Sequence, residues 1–359
     1  MQNGTISEGS SGDARKLVSQ AQEALNRSLA LHAKNLLEKA LALDPGNKSA
    51  LELLATLPAL PEGLSPVEGA SFQQETGLPV EVVCDASDSP MVLVPKGKFT
   101  MGRNAGPKGE GPEHEVYLNT FYIDKFEVTT KQYVDFLGKE GIKDGKATRE
   151  LFEENVHGIV WRGGRWQPAP RLQKHPMVAV SWLGASAYAS WAGLDLPTEA
   201  QWEKAARSTD GRSFPWGEDF STSKCNCKES GAMHSTPVDA YPSGASPYGC
   251  WDMAGNVWEW CFDWHSPDYY ASSPDSEPLG PAKGEKKALR SCGWGAPAQS
   301  AHCCSRFFAP PEIHLEKLGG FRCVKLLIRR PAREEYKRGL LKKITTSIRK
   351  KFKTEKRTK

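Results

Sequence analysis

The chain has no apolar run of membrane-spanning length, which argues against a helical membrane protein. Its opening, MQNGTISEGSSGDARK, lacks the apolar stretch of a secretory signal. No Gly-rich loop joins a strand to a helix, so a nucleotide-dependent enzyme is not expected. The eight His form no His-x3-His set, and no Ser/His/Asp order or carboxylate pair stands out. Nine Cys are present, but not as an even, closely spaced framework. Reduced thiols and a cytoplasmic location are the expectation.

What remains is a soluble composition: 39% hydrophobic and 25% charged residues over 359 positions, enough for two parts. The net charge of +4 hides an asymmetry. Residues 329–359 hold 14 Lys/Arg against 3 Asp/Glu, leaving a mildly acidic body before them. In that tail Leu340, Leu341, Ile344, Ile348 and Phe352 fall near one helical stripe. Such a stripe among cations suits an anionic membrane or nucleic acid, or else a solvated tail.

Residues 1–14 are polar and Gly/Ser-rich and are expected to be disordered. Residues 15–57 then repeat apolar positions at helical spacing (Leu17, Ala21, Leu25, Leu29; Leu36, Leu37, Ala40, Leu41), broken by DPGN at 44–47. This stretch resembles one and a half tetratricopeptide repeats, too few to be stable unaided. A Pro/Gly linker occupies 58–75. Strands are expected over 91–102 and 116–129. Capping boxes Thr129–Gln132 and Thr198–Gln201 open two helices, and Ser181 and Gly193 bracket a third. All 11 Trp lie between Trp161 and Trp294, in a loop-rich region without helical period after Gly211.

Two stretches concentrate chemistry. In RSCGWGAPAQSAHCCSR (290–306), Cys292, Cys303 and Cys304 surround Trp294. Cys303 could be activated by His302 or Arg306, but free Cys more often packs as a small hydrophobe. Cys303 and Cys304 are therefore expected in a core strand. Cys225 and Cys227 in CNC lack the second pair that zinc requires. In AGNVWEWCFDW (254–264), Trp258, Trp260 and Trp264 alternate as on one strand face, while Asn256 and Glu259 need polar partners if buried. Arg322 in FRCV is expected to brace backbone. The turn also offers oxygens to Ca2+: the Asn256 amide, the Glu259 carboxylate and the carbonyls of Gly255 and Val257.

The ordered pieces MVLVPKGKFTMG, HEVYLNTFYIDKFEVTTKQYVDFL, HPMVAVSWLGASAYASWAGLDLPTEAQWEKAAR, FPWGE, STPVDAYPSGASPYGCWDMAGNVWEWCFDW and GGFRCV resemble the formylglycine-generating enzyme (sulfatase-modifying factor) family over about 76–327. The resemblance implies an α+β, C-type-lectin-like fold with a small antiparallel sheet and two helices. It also implies calcium at the turn carrying Gly255, Asn256, Val257 and Glu259. Catalytic members place a copper-binding Cys-x4-Cys pair after a "GGS-aromatic" turn. Here the matching turn is Ser291–Trp294, followed by GAPAQSAH without Cys. Soft thiolates select Cu(I), so copper is not expected. Nor is the iron-binding His set of the related ergothioneine-synthesising enzymes visible.

A non-catalytic module is therefore expected, binding a protein or small molecule through Trp294, Gln299, His302 and Arg306. One alternative is an oxygen-dependent oxidoreductase that uses other thiols on a cysteine or thiol substrate. A second is a diversity-generating retroelement variable protein. The absence of Asn from 295–321 and the long continuation past GFR weigh against the second.

Overall fold

The computed structural model describes residues 8–27, 29–107, 109–143, 148–154 and 157–328. The basic-tail expectation falls on residues outside this set. The described chain forms two compact units that divide between Val83 and Cys84.

The first unit begins with three helices: α1 (Glu8–Asn26), α2 (Ala30–Leu43) and α3 (Lys48–Thr56). Ala14, Ala21 and Ala24 of α1 bury against Ala33, Leu37 and Ala40 of α2, with Ala50 of α3. Small residues let the helices approach, and flanking Leu side chains seal the cluster. The DPGN break is a capped turn, in which Asn47 accepts from the Ala50 amide at 3.0 Å. Residues 8–14, expected to be disordered, instead start α1. Composition alone overlooked the burial of Ala14. Strands β1 (Leu64–Pro66) and β2 (Glu81–Cys84) follow.

In the second unit the apolar run after Pro90 divides into β3 (Ser89–Val94) and β4 (Gly97–Met101), separated by Pro95. The next run likewise divides, into β5 (His114–Leu118) and β6 (Phe121–Asp124). β4 and β5 form a ribbon. β6 lies antiparallel between β3 and a late strand, β13 (Val324–Leu326), so that Val92, Ile123 and Val324 share one row. The capping boxes open α4 (Thr130–Lys139) and α6 (Glu199–Arg207), each with reciprocal bonds between Thr and Gln. A hairpin, β7 (Ile159–Arg162) and β8 (Arg165–Pro168), packs against α4.

Between α4 and α6 stands α5 (Trp182–Trp191), capped by Ser181 and stopped at Gly193, whose φ is +69°. Gly184 is required on α5: a Cβ there would lie 2.0 Å from the Leu151 carbonyl oxygen. The second sheet has the order β11–β10–β9–β12. Its strands are β9 (Trp258–Trp264), β10 (Lys287–Arg290), β11 (Phe307–Ala309) and β12 (Gly319–Gly320), with β12 parallel to β9.

The Trp residues explain how so loop-rich a body holds together. Three buried indoles cover apolar area and also place their N–H on an acceptor. Trp182 reaches the Cys261 carbonyl at 2.7 Å, Trp260 the Val180 carbonyl at 3.0 Å, and Trp202 the Glu259 carboxylate at 2.8 Å. These bonds tie α5 and α6 to β9.

Candidate functional site

The segment from Arg290 to Arg306 leaves the end of β10 and returns into β11. Both ends are held by buried charge. Arg290 is fully buried, with Nη2 2.6 Å from Glu203 and 2.6 Å from the Cys303 carbonyl oxygen. Arg306 binds Glu199 through Nε at 2.6 Å and Nη2 at 3.0 Å, donates to the Gly109 carbonyl, and lies over the Tyr270 ring. Burial pushes both carboxyls up, but the surrounding guanidinium groups outweigh it. Glu199 and Glu203 are held below the usual carboxylate range.

Between these clamps the loop is seated on two neighbours. The Ser291 hydroxyl lies 3.0 Å from both the amide and the carbonyl oxygen of Gly255, and the Trp294 amide donates to the Asn256 carbonyl at 2.9 Å. On its other side the Lys228 amide donates to the Ala296 carbonyl, and the Ala298 amide to Glu229, each at 2.9 Å. The loop thus joins the 252–257 turn to the CNC segment.

The expected ligand residues do not converge. Trp294 is partly exposed, its indole donating to the Lys317 carbonyl at 3.3 Å, and Gln299 is exposed. His302 stacks on Phe214 at 4.7 Å. Arg306 is occupied by Glu199, so none of the four expected ligand residues offers a free cation. Trp294 and Gln299 reach solvent, and Trp258, whose indole lies against Gly293, packs on the exposed Phe307 at 5.2 Å.

All nine Cys are free and buried. Cys303 and Cys304 are core residues but occupy a turn before β11, not a strand, because the loop must reverse there to bring Arg306 to Glu199. Cys225, Cys227 and Cys292 form an apolar cluster with Phe214, Ala254 and Ala301, against which Ala296 packs. Burial pushes all three thiols up, and their mutual proximity adds to it for Cys225 and Cys292. They are protonated and poorly nucleophilic.

The turn expected to hold calcium is built differently from its sequence reading. Asn256 is buried at φ +64°, and its Oδ1 accepts from Asn226 Nδ2 at 3.2 Å and the Thr236 amide at 2.9 Å. Its Nδ2 donates to Glu127 at 2.7 Å. Glu259 is committed elsewhere: Arg322 Nε and Nη2 grip its two oxygens at 2.6 and 2.8 Å. Arg322 also braces backbone, donating to the Trp251 carbonyl at 2.8 Å and the Asp124 carbonyl at 3.1 Å.

The unsatisfied oxygens belong to residues the sequence reading passed over. Both Asp252 carboxylate oxygens and Glu127 Oε1 are buried without a partner. Burial pushes the Asp252 carboxyl up to about 8, with Arg322 offsetting part of the rise and Glu259 adding to it. Glu127 is pushed up by burial and then by the nearby Asp252 and Glu259. Two adjoining carboxylates with three unpaired oxygens between them fit a hard cation that takes oxygen ligands. Among the described residues no three His, Cys, Asp or Glu side chains converge in metal-holding geometry, so carbonyls or water would complete any shell. The clue available in sequence was Asp252, a lone acid between Trp251 and Met253.

Comparison with known proteins agrees with this architecture. Residues 80–327 match the family described as the sulfatase-modifying factor enzyme 1-like domain. The formylglycine-generating enzyme of Streptomyces coelicolor is 36% identical over 282 residues, covering 65% of this chain and 88% of that protein. The serine/threonine-protein kinase pkn1 of Chlamydia caviae is 40% identical over 238 residues. That match covers 66% of this chain but only 38% of the kinase. The solved structure of PvdO from Pseudomonas aeruginosa superposes with a TM-score of 0.54 at 26% identity, over 67% of this chain and 95% of that one. With its α+β, C-type-lectin-like body, the chain belongs to the formylglycine-generating enzyme (sulfatase-modifying factor) family.

Proposed function

We propose that this domain is a non-catalytic member of its family that binds a protein or small-molecule ligand. The observation that carries the reading is the loop after Trp294: residues 295–302 contain no thiol. The nearest thiols are buried, and burial holds them protonated. Thiol oxidation needs an accessible thiolate or a thiolate-bound metal. The ligand would meet the outer face of the loop at Trp294 and Gln299, flanked by Trp258 and Phe307. An aromatic face of this kind suits an apolar or aromatic group with a polar edge. The test is incubation with a sulfatase-type Cys-x-Pro-x-Arg peptide under air, with and without copper. Mass spectrometry should recover the peptide with its cysteine unchanged. Conversion to formylglycine would replace this reading with the oxidase alternative, for which the grouping of Cys225, Cys227 and Cys292 beside Ala301 is the supporting observation.

Calcium belongs to the same reading, centred on Asp252 and Glu127 in place of Asn256 and Glu259. A bound cation would neutralise the two carboxylates and stiffen the turn on which Trp294 rests. It supplies no step. Saturation at about a hundred times the dissociation constant stabilises by about 2.7 kcal/mol. Melting with calcium and with chelator should differ for the native chain and coincide for Asp252→Asn. Equal melting of the native chain in both conditions would remove the cation from this account.

A further inference from the structure

A groove of about 790 Å³ opens between α4 with its following turn and the β7–β8 hairpin, apart from the loop described above. Its lining is strongly one-signed. Among the described residues, Lys131, Lys139, Lys143 and Arg165 contribute four cations against one carboxylate, Asp135. Asp135 pairs with Lys131 on the same helix. Lys139 is anchored at one rim, donating to the Ala86 carbonyl at 3.0 Å with its ammonium 5.2 Å from the Trp191 ring centroid. Lys143 and Arg165 are exposed and have no ion pair among the described residues.

The hairpin adds a second observation. Its register sets Arg162 directly opposite Arg165. Like charges facing each other across a strand pair are destabilising. No carboxylate among the described residues pairs with either one. An anion arriving at the hairpin tip would relieve that repulsion.

The floor is apolar. Trp161 and Trp166 meet edge to face at 5.1 Å, and Leu137 and Ile142 face them from α4 and its turn. Trp161 is partly exposed, and the Nε1 of the buried Trp166 has no partner. A groove with an aromatic floor and cationic rims selects a ligand with both acidic and apolar groups. The lining runs along α4 from Lys131 to Lys139, about 12 Å at 1.5 Å per residue. An extended peptide covers that distance in about four residues.

We propose that this groove binds an acidic peptide segment of a partner protein. Carboxylates of the segment pair with Lys143 and Arg165, and an aromatic or aliphatic side chain between them packs on Trp161. The proposal is independent of the ligand reading at Trp294, because none of these residues touches that loop. It adds a second recognition surface on the opposite chemical principle, charge complementarity.

The experiment uses the full chain and a fluorescein-labelled peptide, Asp-Leu-Glu-Phe-Asp-Glu, read by fluorescence anisotropy. Saturable binding that weakens with added salt is expected. Arg165→Glu and Lys143→Glu should each weaken it by about tenfold at low salt. Lys283→Glu, an equal charge change at an exposed position away from the groove, should leave it unchanged. Lys143 lies outside the hairpin, so its variant tests the groove even if the Arg165 variant disturbs β7–β8. No binding at millimolar peptide would overturn the proposal. So would equal loss with Lys283→Glu, or equal binding by a peptide with Leu and Phe replaced by Ser. Those last two outcomes would identify only a general attraction for anions.

Discussion

The buried pair of Glu259 and Arg322 offers the sharpest test of how this domain is held together. Arg322 donates five hydrogen bonds: two to Glu259 and three to the carbonyls of Asp124, Lys125 and Trp251. Glu259 also accepts from Trp202. Both side chains are fully buried. Glu259→Ala strands a guanidinium in the interior and removes the acceptor of a buried indole. Breaking such a pair from one side costs about 3–5 kcal/mol, and the unpaired indole adds about 1 kcal/mol. At about 2–4 °C per kcal/mol for a domain of this size, the melting temperature should fall by about 8–24 °C. Arg322→Met should do comparable harm by stranding the carboxylate. The combination of Glu259→Ala with Arg322→Met removes both charges and should recover part of the loss, since most of each single cost is the uncompensated partner. Scanning calorimetry and urea unfolding of the four proteins would measure this. A drop under 2 °C for Glu259→Ala, or strict additivity in the double variant, would show that the two charges do not depend on each other for burial.

Two further outcomes follow from buried groups. Burial pushes the Asp124 carboxyl up to about 7, outweighing its bonds from Ser89 and the Cys323 amide. Unfolded, the same carboxyl titrates near about 3.9. Between those values the folded chain holds a proton that the unfolded chain has released. Its stabilising contribution is therefore complete below about pH 4 and lost as pH rises to about 7. The stability of the native chain relative to Asp124→Asn should fall by about 1.4 kcal/mol per pH unit in that window; a difference independent of pH in urea titrations would contradict this. Gly184→Ala should destabilise by about 2–3 kcal/mol, since its methyl would overlap the Leu151 carbonyl, and an unchanged urea midpoint would show that α5 can shift without cost.

Local signals in the sequence carried much of the fold. Thr129–Gln132, Thr198–Gln201 and Ser181 predicted three helix starts that the structure contains, because a cap is satisfied within four residues of itself. Strand boundaries were less legible. The apolar runs 91–102 and 116–129 each break into two pairing elements, since a turn such as Pro95–Lys96 is decided by which partner each half meets. The order of the motif pieces was enough to indicate the family, and residues 80–327 do match it.

The candidate site was legible only as a region. Sequence showed which thiols follow Trp294 and that none lies in 295–302. It also flagged Asn256 and Glu259 as polar groups that would need partners. Only the tertiary structure decided what those partners are, because Glu259 meets Arg322 across 63 residues and Arg306 meets Glu199 across 107. Such pairings depend on burial, which raises the cost of an unpaired charge and so forces each one onto a partner from a distant segment. For the same reason Arg306 was lost to the ligand surface, while Asp252 and Glu127 emerged as the carboxylates left with unpaired oxygens. Residue types and their local spacing are written in the chain. Which charges remain free is settled only when the whole interior has closed.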